Sequence, residues 1–219
     1  MKLTTFKIFL GLLAAFLLGS ILYDRLKPPA VAPESLTGEI REIGGERLDS
    51  MADFRENSIR GPQPVDLNTY RLEIGGLVRR PRDLKYADVL ALPHRRKVLT
   101  LPCVEGWEVR LLWEGVRVKD LLDPAGVLPE ARSVVFYGLD GYTTALPLDY
   151  LRQKDILLAF RLNGLTLPAA RGFPFQLAAE SKLGYKWIRW VRRIEVSAST
   201  NYLGYWELRG YSNSADVTP

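Results

Sequence analysis

The chain holds a single cysteine, Cys103, and a single histidine, His94. No intrachain disulfide can form, and one thiol with one imidazole cannot build a four-ligand zinc site or an all-cysteine iron–sulfur cluster. A Ser-His-Asp hydrolase would have to use His94, which lies in a run of basic residues, 94–97. Any redox chemistry must therefore come largely from a bound organic or organometallic cofactor.

Cys103 has two competing interpretations. A lone cysteine is usually a small buried hydrophobic residue. However, Cys103 follows a predicted strand over 98–101 and then Pro102, and loops at strand ends commonly present functional groups. The basic residues 95–97 would favour a thiolate if they come near in space. A chain with a single cysteine can still ligate molybdenum, because a pterin dithiolene supplies two further sulfur ligands and one protein thiolate then suffices.

Four segments resemble those of a known superfamily, in the same order. Cys103-Val104-Glu105-Gly106-Trp107, followed by Trp113-Glu114-Gly115-Val116, is similar to the molybdenum–cysteine loop of sulfite oxidases and molybdenum-dependent methionine sulfoxide reductases. Residues 54–58, 163–176 and 184–190 resemble three further segments of that superfamily. The resemblance covers residues 54–196, and it implies a mixed α+β fold with a mononuclear molybdenum held by one molybdopterin.

The resemblance also implies roles for individual residues. By position, Cys103 would ligate the metal, and Gly138 and Asp140 would lie near it, Asp140 in a catalytic position. The residues expected to contact the pterin and its phosphate are Asn57, Arg171, Gln176, Lys186, Trp187, Ile188 and Arg189. A phosphate favours guanidinium and ammonium donors, which suits the basic members of this set. The alternative is that Lys186 and Arg189 belong to a solvated strand face and that Trp187 lies in the core.

Three positions depart from the family pattern. Arg171 and Ser58 stand where histidine is common, and Gln176 stands where arginine is common. Sulfite oxidases bind their anionic substrate with a cluster of arginines, and no such cluster can be located in this sequence. Sulfite is therefore not favoured as the substrate. The same departures keep open an alternative function, a cofactor-free binding module on the same fold.

Short segments of alternating polarity must position these residues. Strands are predicted over 70–74, 98–101, 133–137, 142–146, 156–160, 173–178 and 187–196. Short helices are predicted over 84–92, 118–122 and 148–154. This pattern predicts an α+β domain dominated by β-structure.

The N-terminus has a different character. Residues 6–23 are apolar except for Lys7, Gly11, Gly19 and Ser20, and 18 helical residues span about 27 Å, close to a hydrocarbon core of about 30 Å. An uncleaved single-pass membrane anchor over 1–27 is favoured over a cleaved signal peptide, because no clean small-x-small site follows. We expect a linker over 28–50 and the cofactor-binding domain over 51–219, on the extracytoplasmic side of the cell membrane.

Charge argues against a nucleic-acid role. Without residues 1–27, which hold four of the 30 basic and one of the 25 acidic residues, the net charge is +2. A nearly balanced domain gives little attraction to phosphate backbones, although a basic strand face over 186–193 keeps an anionic-lipid or nucleic-acid binder as an alternative. We therefore expect a molybdenum-cofactor-dependent oxidoreductase that transfers an oxygen atom to or from a small substrate. With one histidine and one cysteine the chain has no haem ligands to spare, so electrons would pass to or from an external carrier, such as a membrane cytochrome.

Overall fold

Two five-stranded sheets dominate the computed structural model, which describes residues 37–217. The strands are β1 (Glu42–Ile43), β2 (Glu46–Arg47), β3 (Leu72–Gly76), β4 (Arg82–Leu84), β5 (His94–Pro102), β6 (Glu108–Arg117), β7 (Ser133–Gly138), β8 (Thr143–Pro147), β9 (Leu157–Leu162), β10 (Leu165–Thr166), β11 (Gln176–Ala178) and β12 (Val191–Ser197). The helices are α1 (Tyr86–Leu90), α2 (Val118–Leu122) and α3 (Leu148–Gln153). The sheet-dominated α+β fold expected from the sequence is confirmed.

The two sheets differ in topology. The first has the order β10–β9–β6–β5, with β11 also paired to β9, and all its pairs are antiparallel. The second has the order β4–β3–β12–β7–β8, in which only β12 and β3 run parallel. Because β12 is the central strand of the second sheet, the segment that leads into it, 184–190, has a fixed position.

The hydrophobic core explains why β6 holds its place. Leu111 and Trp113 are fully buried, and Trp113 packs on Trp187 with ring centroids 5.0 Å apart. Gly115 lies at an irregularity between β6 and β9, where an added Cβ would be 2.3 Å from the carbonyl oxygen of Leu158. Only glycine allows this close backbone approach.

Most predicted elements are confirmed, with shifted bounds. Helix 118–122 and strand 133–137 match almost residue for residue, whereas β6 was not predicted at all. The strand expected over 187–196 is correct only from Val191 onward. Before it lie a 3-10 turn at Gly184–Lys186 and Trp190, whose φ of 53° is not a strand conformation.

The region before residue 51 falls into two parts. Residues 38–50 pack against the domain: Leu48 is buried, and Asn163 donates a hydrogen bond to a carboxylate oxygen of Glu39 at 2.8 Å. The proposed membrane anchor over 1–27 lies outside the described residues. Within residues 37–217 no helix is long and apolar enough to cross a membrane.

Candidate active site

Cys103 begins the turn that joins β5 to β6. Its backbone N–H donates to the carbonyl oxygen of Trp107 at 2.8 Å, and the N–H of Gly106 donates to the carbonyl oxygen of Cys103 at 3.1 Å. Gly106 adopts φ 81°, which glycine adopts without strain. The long β5–β6 pairing therefore places the thiol at the turn of a hairpin. The strand before Cys103 and the loop that holds it were predicted from the sequence, whereas the pairing with β6 was not.

The thiol has two polar neighbours from distant parts of the chain. The side-chain amide of Asn57 donates to the sulfur at 3.6 Å, and Arg189 donates to the oxygen of the same amide at 3.2 Å. Burial raises the pKa of Cys103, while the Asn57 hydrogen bond and the Arg189 charge act in the opposite direction. A metal ligand must be a thiolate, so both neighbours support that form.

Arg189 ties the segment before β12 to the loop that carries Asn57. Its guanidinium donates to the carbonyl oxygen of Arg55 at 2.9 Å, pairs with Glu56 at 3.4 Å, and lies 4.7 Å above the ring of Phe54. Its side chain is 9% exposed, and burial lowers the pKa of Arg189 to about 10. The group thus stays cationic at neutral pH within a mostly enclosed setting.

An open cleft lies beside the thiol. Of the residues singled out in the sequence, those that line it are Asn57, Cys103, Asp140, Gln176, Trp187, Ile188 and Arg189. A concave lining of mostly apolar and aromatic side chains with a few polar groups is typical of small-molecule and cofactor sites. The fold therefore brings together residues from five separate segments of the sequence.

Two side-chain oxygens in the cleft lining have no partner among residues 37–217. Ser58 Oγ and Gln176 Oε1 are buried without a hydrogen bond, although Gln176 Nε2 donates to the carbonyl oxygen of Trp187 at 3.2 Å. A buried polar atom left unsatisfied costs roughly 1–3 kcal/mol. A heterocycle with N–H donors would satisfy both atoms, so the residues present fit a pterin.

Asp140 supplies a buried carboxyl group to the cleft. It is 3% exposed, and it accepts the backbone N–H of Tyr142 at 3.0 Å. Burial raises the pKa of Asp140, and this effect exceeds the lowering by hydrogen bonds and by the nearby Arg60 and Arg189. Gly138 is not in the lining, but it makes room for this carboxyl: an added Cβ would lie 2.6 Å from Asp140 Oδ1.

Two predicted phosphate contacts have other partners. The ammonium of Lys186 is fully buried, 2.5 Å from a carboxylate oxygen of Glu207, and neither group is in the cleft lining. Arg171 also lies outside the lining, with its guanidinium 5.3 Å above the ring of Phe54. Arg189 is thus the cationic residue that lines the cleft within the described range.

The basic run upstream of the thiol is engaged elsewhere. Arg96 donates to Glu114 at 2.8 Å, and Lys97 pairs with Glu180. The sequence left open whether these cations come near Cys103; Arg96 and Lys97 are instead paired with carboxylates, and neither is among the groups that shift the pKa of the thiol. Arg189 takes that position instead.

Aromatic residues complete the lining, and sequence reasoning missed most of them. They are Trp107, Tyr142, Tyr185, Trp190, Trp206 and Tyr211. The available signal was the density of aromatic side chains in residues 202–211. Trp206 and Tyr211 reach the cleft because residues 204–213 pack against β8. No local sequence pattern specifies that long-range contact.

Comparison with known proteins places this geometry in context. A sequence model of the family described as "Oxidoreductase molybdopterin binding domain" matches residues 60–206. The uncharacterized oxidoreductase YuiH of Bacillus subtilis (strain 168) is 36% identical over 157 residues, which cover 71% of this chain and 78% of YuiH. The range matched by the family model, 60–206, includes Cys103, Asp140, Gln176 and Arg189 but not Asn57.

Two further similar proteins are longer than this chain. The putative protein-methionine-sulfoxide reductase subunit YedZ1 of Azospira oryzae is 34% identical over 148 residues, covering 68% of this chain and 56% of YedZ1. The crystal structure of the sulfane dehydrogenase SoxCD from Paracoccus pantotrophus aligns with a TM-score of 0.61 and 25% identity, over 64% of this chain and 41% of that chain. This chain therefore spans about half the length of these two relatives.

Proposed function

Because the chain belongs to the family of oxidoreductase molybdopterin-binding domains, we propose that it transfers an oxygen atom between water and an uncharged organic substrate of the sulfoxide class. The chain is a molybdenum-cofactor-dependent oxidoreductase, and its cofactor is molybdenum bound to molybdopterin. The observation that carries the proposal is the Cys103 thiol at the cleft, which accepts a hydrogen bond from Asn57, itself hydrogen-bonded by Arg189. The oxygens of Ser58 and Gln176, which lack a partner among residues 37–217, belong to the same lining. Cys103 would be the protein ligand to the metal.

The other site residues would hold the pterin. Ser58 Oγ and Gln176 Oε1 would accept hydrogen bonds from ring N–H groups, and Arg189 would lie near the terminal phosphate. When bound, the group supplies oxygen-atom transfer coupled to a two-electron change at the metal. By their position in the family pattern, Arg171 and Lys186 remain proposed members of the site. Because they lie outside the cleft lining and contact Phe54 and Glu207, they would support the residues that line the cleft and would not contact the cofactor themselves.

The charge of the cleft favours an uncharged substrate. Its lining includes the carboxyl groups of Glu105 and Asp140 and the cation Arg189, which already has three oxygen partners. An anion such as sulfite would face two carboxyl groups without a dedicated cation. The name of the Azospira relative refers to a sulfoxide, which is consistent with this choice.

The reaction balances with an external electron donor. Reduction of a sulfoxide breaks the S–O bond, reduces the sulfur by two electrons and releases the oxygen as water after it takes up two protons. The electrons would come one at a time from a haem protein or a quinol-linked protein. Asp140, whose pKa is raised by burial, would hold a proton at the cleft for that water.

We also propose that residues 6–23 anchor the enzyme in the cell membrane, with the domain on the extracytoplasmic side near its electron carrier. The support is the length and apolar character of that stretch. Protease protection of intact and opened cells would test the side. Cleavage only after the inner membrane is opened would contradict it.

Metal analysis of the full chain tests the central proposal. The chain would be expressed in a host that makes molybdenum cofactor and purified in detergent, beside Cys103→Ser and the control Leu67→Ala, an exposed side chain outside the cleft lining. We expect stoichiometric molybdenum in the wild type and the control, and altered metal absorption with loss of turnover in Cys103→Ser. A folded wild-type protein without molybdenum or pterin would instead support a cofactor-free binding module.

A substrate comparison then separates the two directions. Dimethyl sulfoxide reduction with reduced viologen and sulfite oxidation with ferricyanide would be measured on the same preparation. Faster turnover of the sulfoxide supports the proposal. Preferred oxidation of sulfite would overturn the substrate class while leaving the cofactor assignment in place.

A further inference from the structure

The C-terminal segment, defined here as residues 204–213, forms one wall of the cleft. Trp206 and Tyr211 belong to it and line the cleft beside Tyr185. The match to the family model ends at Trp206, so most of this segment lies beyond the family's shared region. The wall is therefore a feature in which this chain can differ from other members.

The aromatic rings of the wall form a continuous series. Ring centroids are 5.5 Å apart for Tyr142 and Tyr205, 5.4 Å for Tyr205 and Trp206, 5.2 Å for Trp206 and Tyr211, and 5.3 Å for Tyr211 and Tyr185. Such spacings are favourable for aromatic pairs. Each ring thus supports the next, and the series runs from Tyr142, just before β8, through the C-terminal segment to Tyr185 in the 3-10 turn.

The wall presents ring surface more than hydroxyl donors. The hydroxyl of Tyr142 donates to the carbonyl oxygen of Tyr185 at 2.7 Å, and the hydroxyl of Tyr185 donates to the carbonyl oxygen of Ser212 at 2.7 Å. Both donors are thereby occupied by backbone. At Tyr142 and Tyr185 the surface left toward the cleft is therefore that of the rings, which suits carbon and sulfur substituents.

A buried ion pair holds the wall in place. A carboxylate oxygen of Glu207 lies 2.5 Å from Lys186 Nζ and accepts the hydroxyl of Thr144 at 2.7 Å. Lys186 Nζ also donates to Asn213 at 3.2 Å and to the carbonyl oxygen of Ala145 at 3.1 Å. Glu207 and Asn213 flank Tyr211 in the sequence, so one ammonium fixes the segment on both sides of that ring.

The C-terminal segment also lies close enough to β8 to form a backbone hydrogen bond with it. The N–H of Tyr205 donates to the carbonyl oxygen of Thr143 at 2.9 Å. An added Cβ at Gly204 would lie 2.2 Å from that same oxygen. Glycine is required at this point, because any side chain would push the wall away from the sheet.

From this arrangement we propose that Trp206 and Tyr211 determine substrate specificity by holding the apolar substituent of an organic sulfoxide, and that the Lys186–Glu207 pair positions them. The inference rests on the proposed function and names its substrate more narrowly: a sulfoxide with an aryl or extended alkyl group. Sulfur and carbon groups gain contact energy against aromatic rings. The smallest sulfoxides leave that surface unused.

The test compares two sulfoxides on the cofactor-loaded full chain. The ratio of kcat/KM for methyl phenyl sulfoxide to that for dimethyl sulfoxide would be measured in the wild type, Trp206→Leu, Tyr211→Leu and the control Leu208→Ala, a side chain 70% exposed on the same segment. We expect each aromatic variant to lower the ratio about tenfold, mainly through KM, and the control to keep it. Equal ratios in all four proteins would overturn the proposal.

A binding measurement keeps this test separate from that of the proposed function. Quenching of tryptophan fluorescence by methyl phenyl sulfide, the product, needs no turnover. Suppose that the wild type reduces neither sulfoxide but binds the sulfide, and that this binding is lost in Trp206→Leu and Tyr211→Leu. The binding role of the two aromatic residues would then be supported, and the proposed function would be overturned. Absence of binding in a folded wild-type protein overturns the wall.

A separate variant tests whether the Lys186–Glu207 pair positions Trp206 and Tyr211. Lys186→Met combined with Glu207→Gln removes both charges, so neither is left buried alone. We expect the same loss of the kcat/KM ratio as for the aromatic variants, with the rise again in KM. A double variant that is less stable but keeps the wild-type ratio would show that the pair does not position the wall.

Discussion

The side-chain amide of Asn57 donates a hydrogen bond to the sulfur of Cys103, 46 positions later in the chain, at a distance of 3.6 Å. The oxygen of the same amide accepts from Arg189 at 3.2 Å. Because Asn57 lies outside the residues that match the family model, 60–206, its contact with the thiol is contributed by the segment that precedes the matched domain. That segment is therefore part of the candidate site and not merely a lead into it.

We expect Asn57→Ala to lower both the reduction potential of the bound metal and kcat/KM. A hydrogen bond to a ligating sulfur withdraws electron density, so its loss makes the sulfur a stronger donor. Loss of a group behind a metal ligand commonly lowers activity about 10- to 100-fold. Potentiometric titration and steady-state kinetics would be compared with Asn68→Ala, an exposed asparagine. An unchanged potential would show that Asn57 does not act on the sulfur.

Arg189→Lys should lose cofactor although it keeps the charge. The planar guanidinium contacts the carbonyl oxygen of Arg55 and the side chain of Asn57 while it lies over Phe54. A lysine ammonium cannot reproduce this fork and stack. We expect the molybdenum content after gel filtration to fall about tenfold, whereas Arg192→Lys, at an exposed position of β12, retains it. Equal retention in both variants would contradict a role for Arg189 in holding the cofactor.

The strand that ends just before Cys103 could be predicted because its determinants are local. A β-branched and apolar stretch, Pro102 and a glycine turn specify where the strand ends. The neighbours of the thiol could not be predicted, since they depend on pairing across distant strands. Arg96 and Lys97 are close to Cys103 in sequence, yet Glu114 and Glu180 engage them. The cation that does approach is Arg189, 86 positions after Cys103 in the chain.

Lys186 and Arg189 illustrate a second limit. Both belong to one motif, but a 3-10 turn at Gly184–Lys186 and the positive φ of Trp190 break the alternation that a strand would impose. Lys186 therefore enters the core beside Glu207 while Arg189 reaches the cleft. β6 escaped prediction for a related reason: it is paired on both sides and buried along most of its length, so it lacks a clear alternation of polar residues.

Asp140→Asn should stabilise the cofactor-free protein at neutral pH while it lowers activity. Burial raises the pKa of Asp140 above its ordinary value of 3.8, so the folded state binds more protons than the unfolded state between these two values. Stability therefore falls as pH rises through that window, and the penalty is complete above it. Asparagine carries no charge and can still accept the N–H of Tyr142.

Urea unfolding at neutral pH and below pH 3.8 would measure this effect, with the exposed Asp149→Asn as the control. We expect the gain in the free energy of unfolding at neutral pH to vanish in acid, and sulfoxide turnover to fall about 100-fold if Asp140 carries a proton. Full activity of Asp140→Asn would exclude that proton role. A stability gain that persists in acid would exclude the ionised carboxyl as its cause.

Gly172 tests how closely Arg189 must be held. Its φ is 102°, and an added Cβ would lie 3.0 Å from Arg189 Cβ and 3.2 Å from Arg189 Cα. Gly45 also has a positive φ, 80°, but an added Cβ there meets nothing within 4 Å. Both alanine variants carry backbone strain of about 1–2 kcal/mol, so the difference between them isolates the contact with Arg189.

We expect Gly172→Ala to lose more stability than Gly45→Ala and also to lose molybdenum, because Arg189 must shift away from Asn57 to admit the methyl group. Chemical denaturation gives the first quantity and metal analysis the second. Gly45→Ala should keep its full metal content, since nothing near the cleft moves. If the two variants retain metal equally, the spacing between Gly172 and Arg189 does not control cofactor binding, and the Asn57–Arg189 hydrogen bond tolerates displacement.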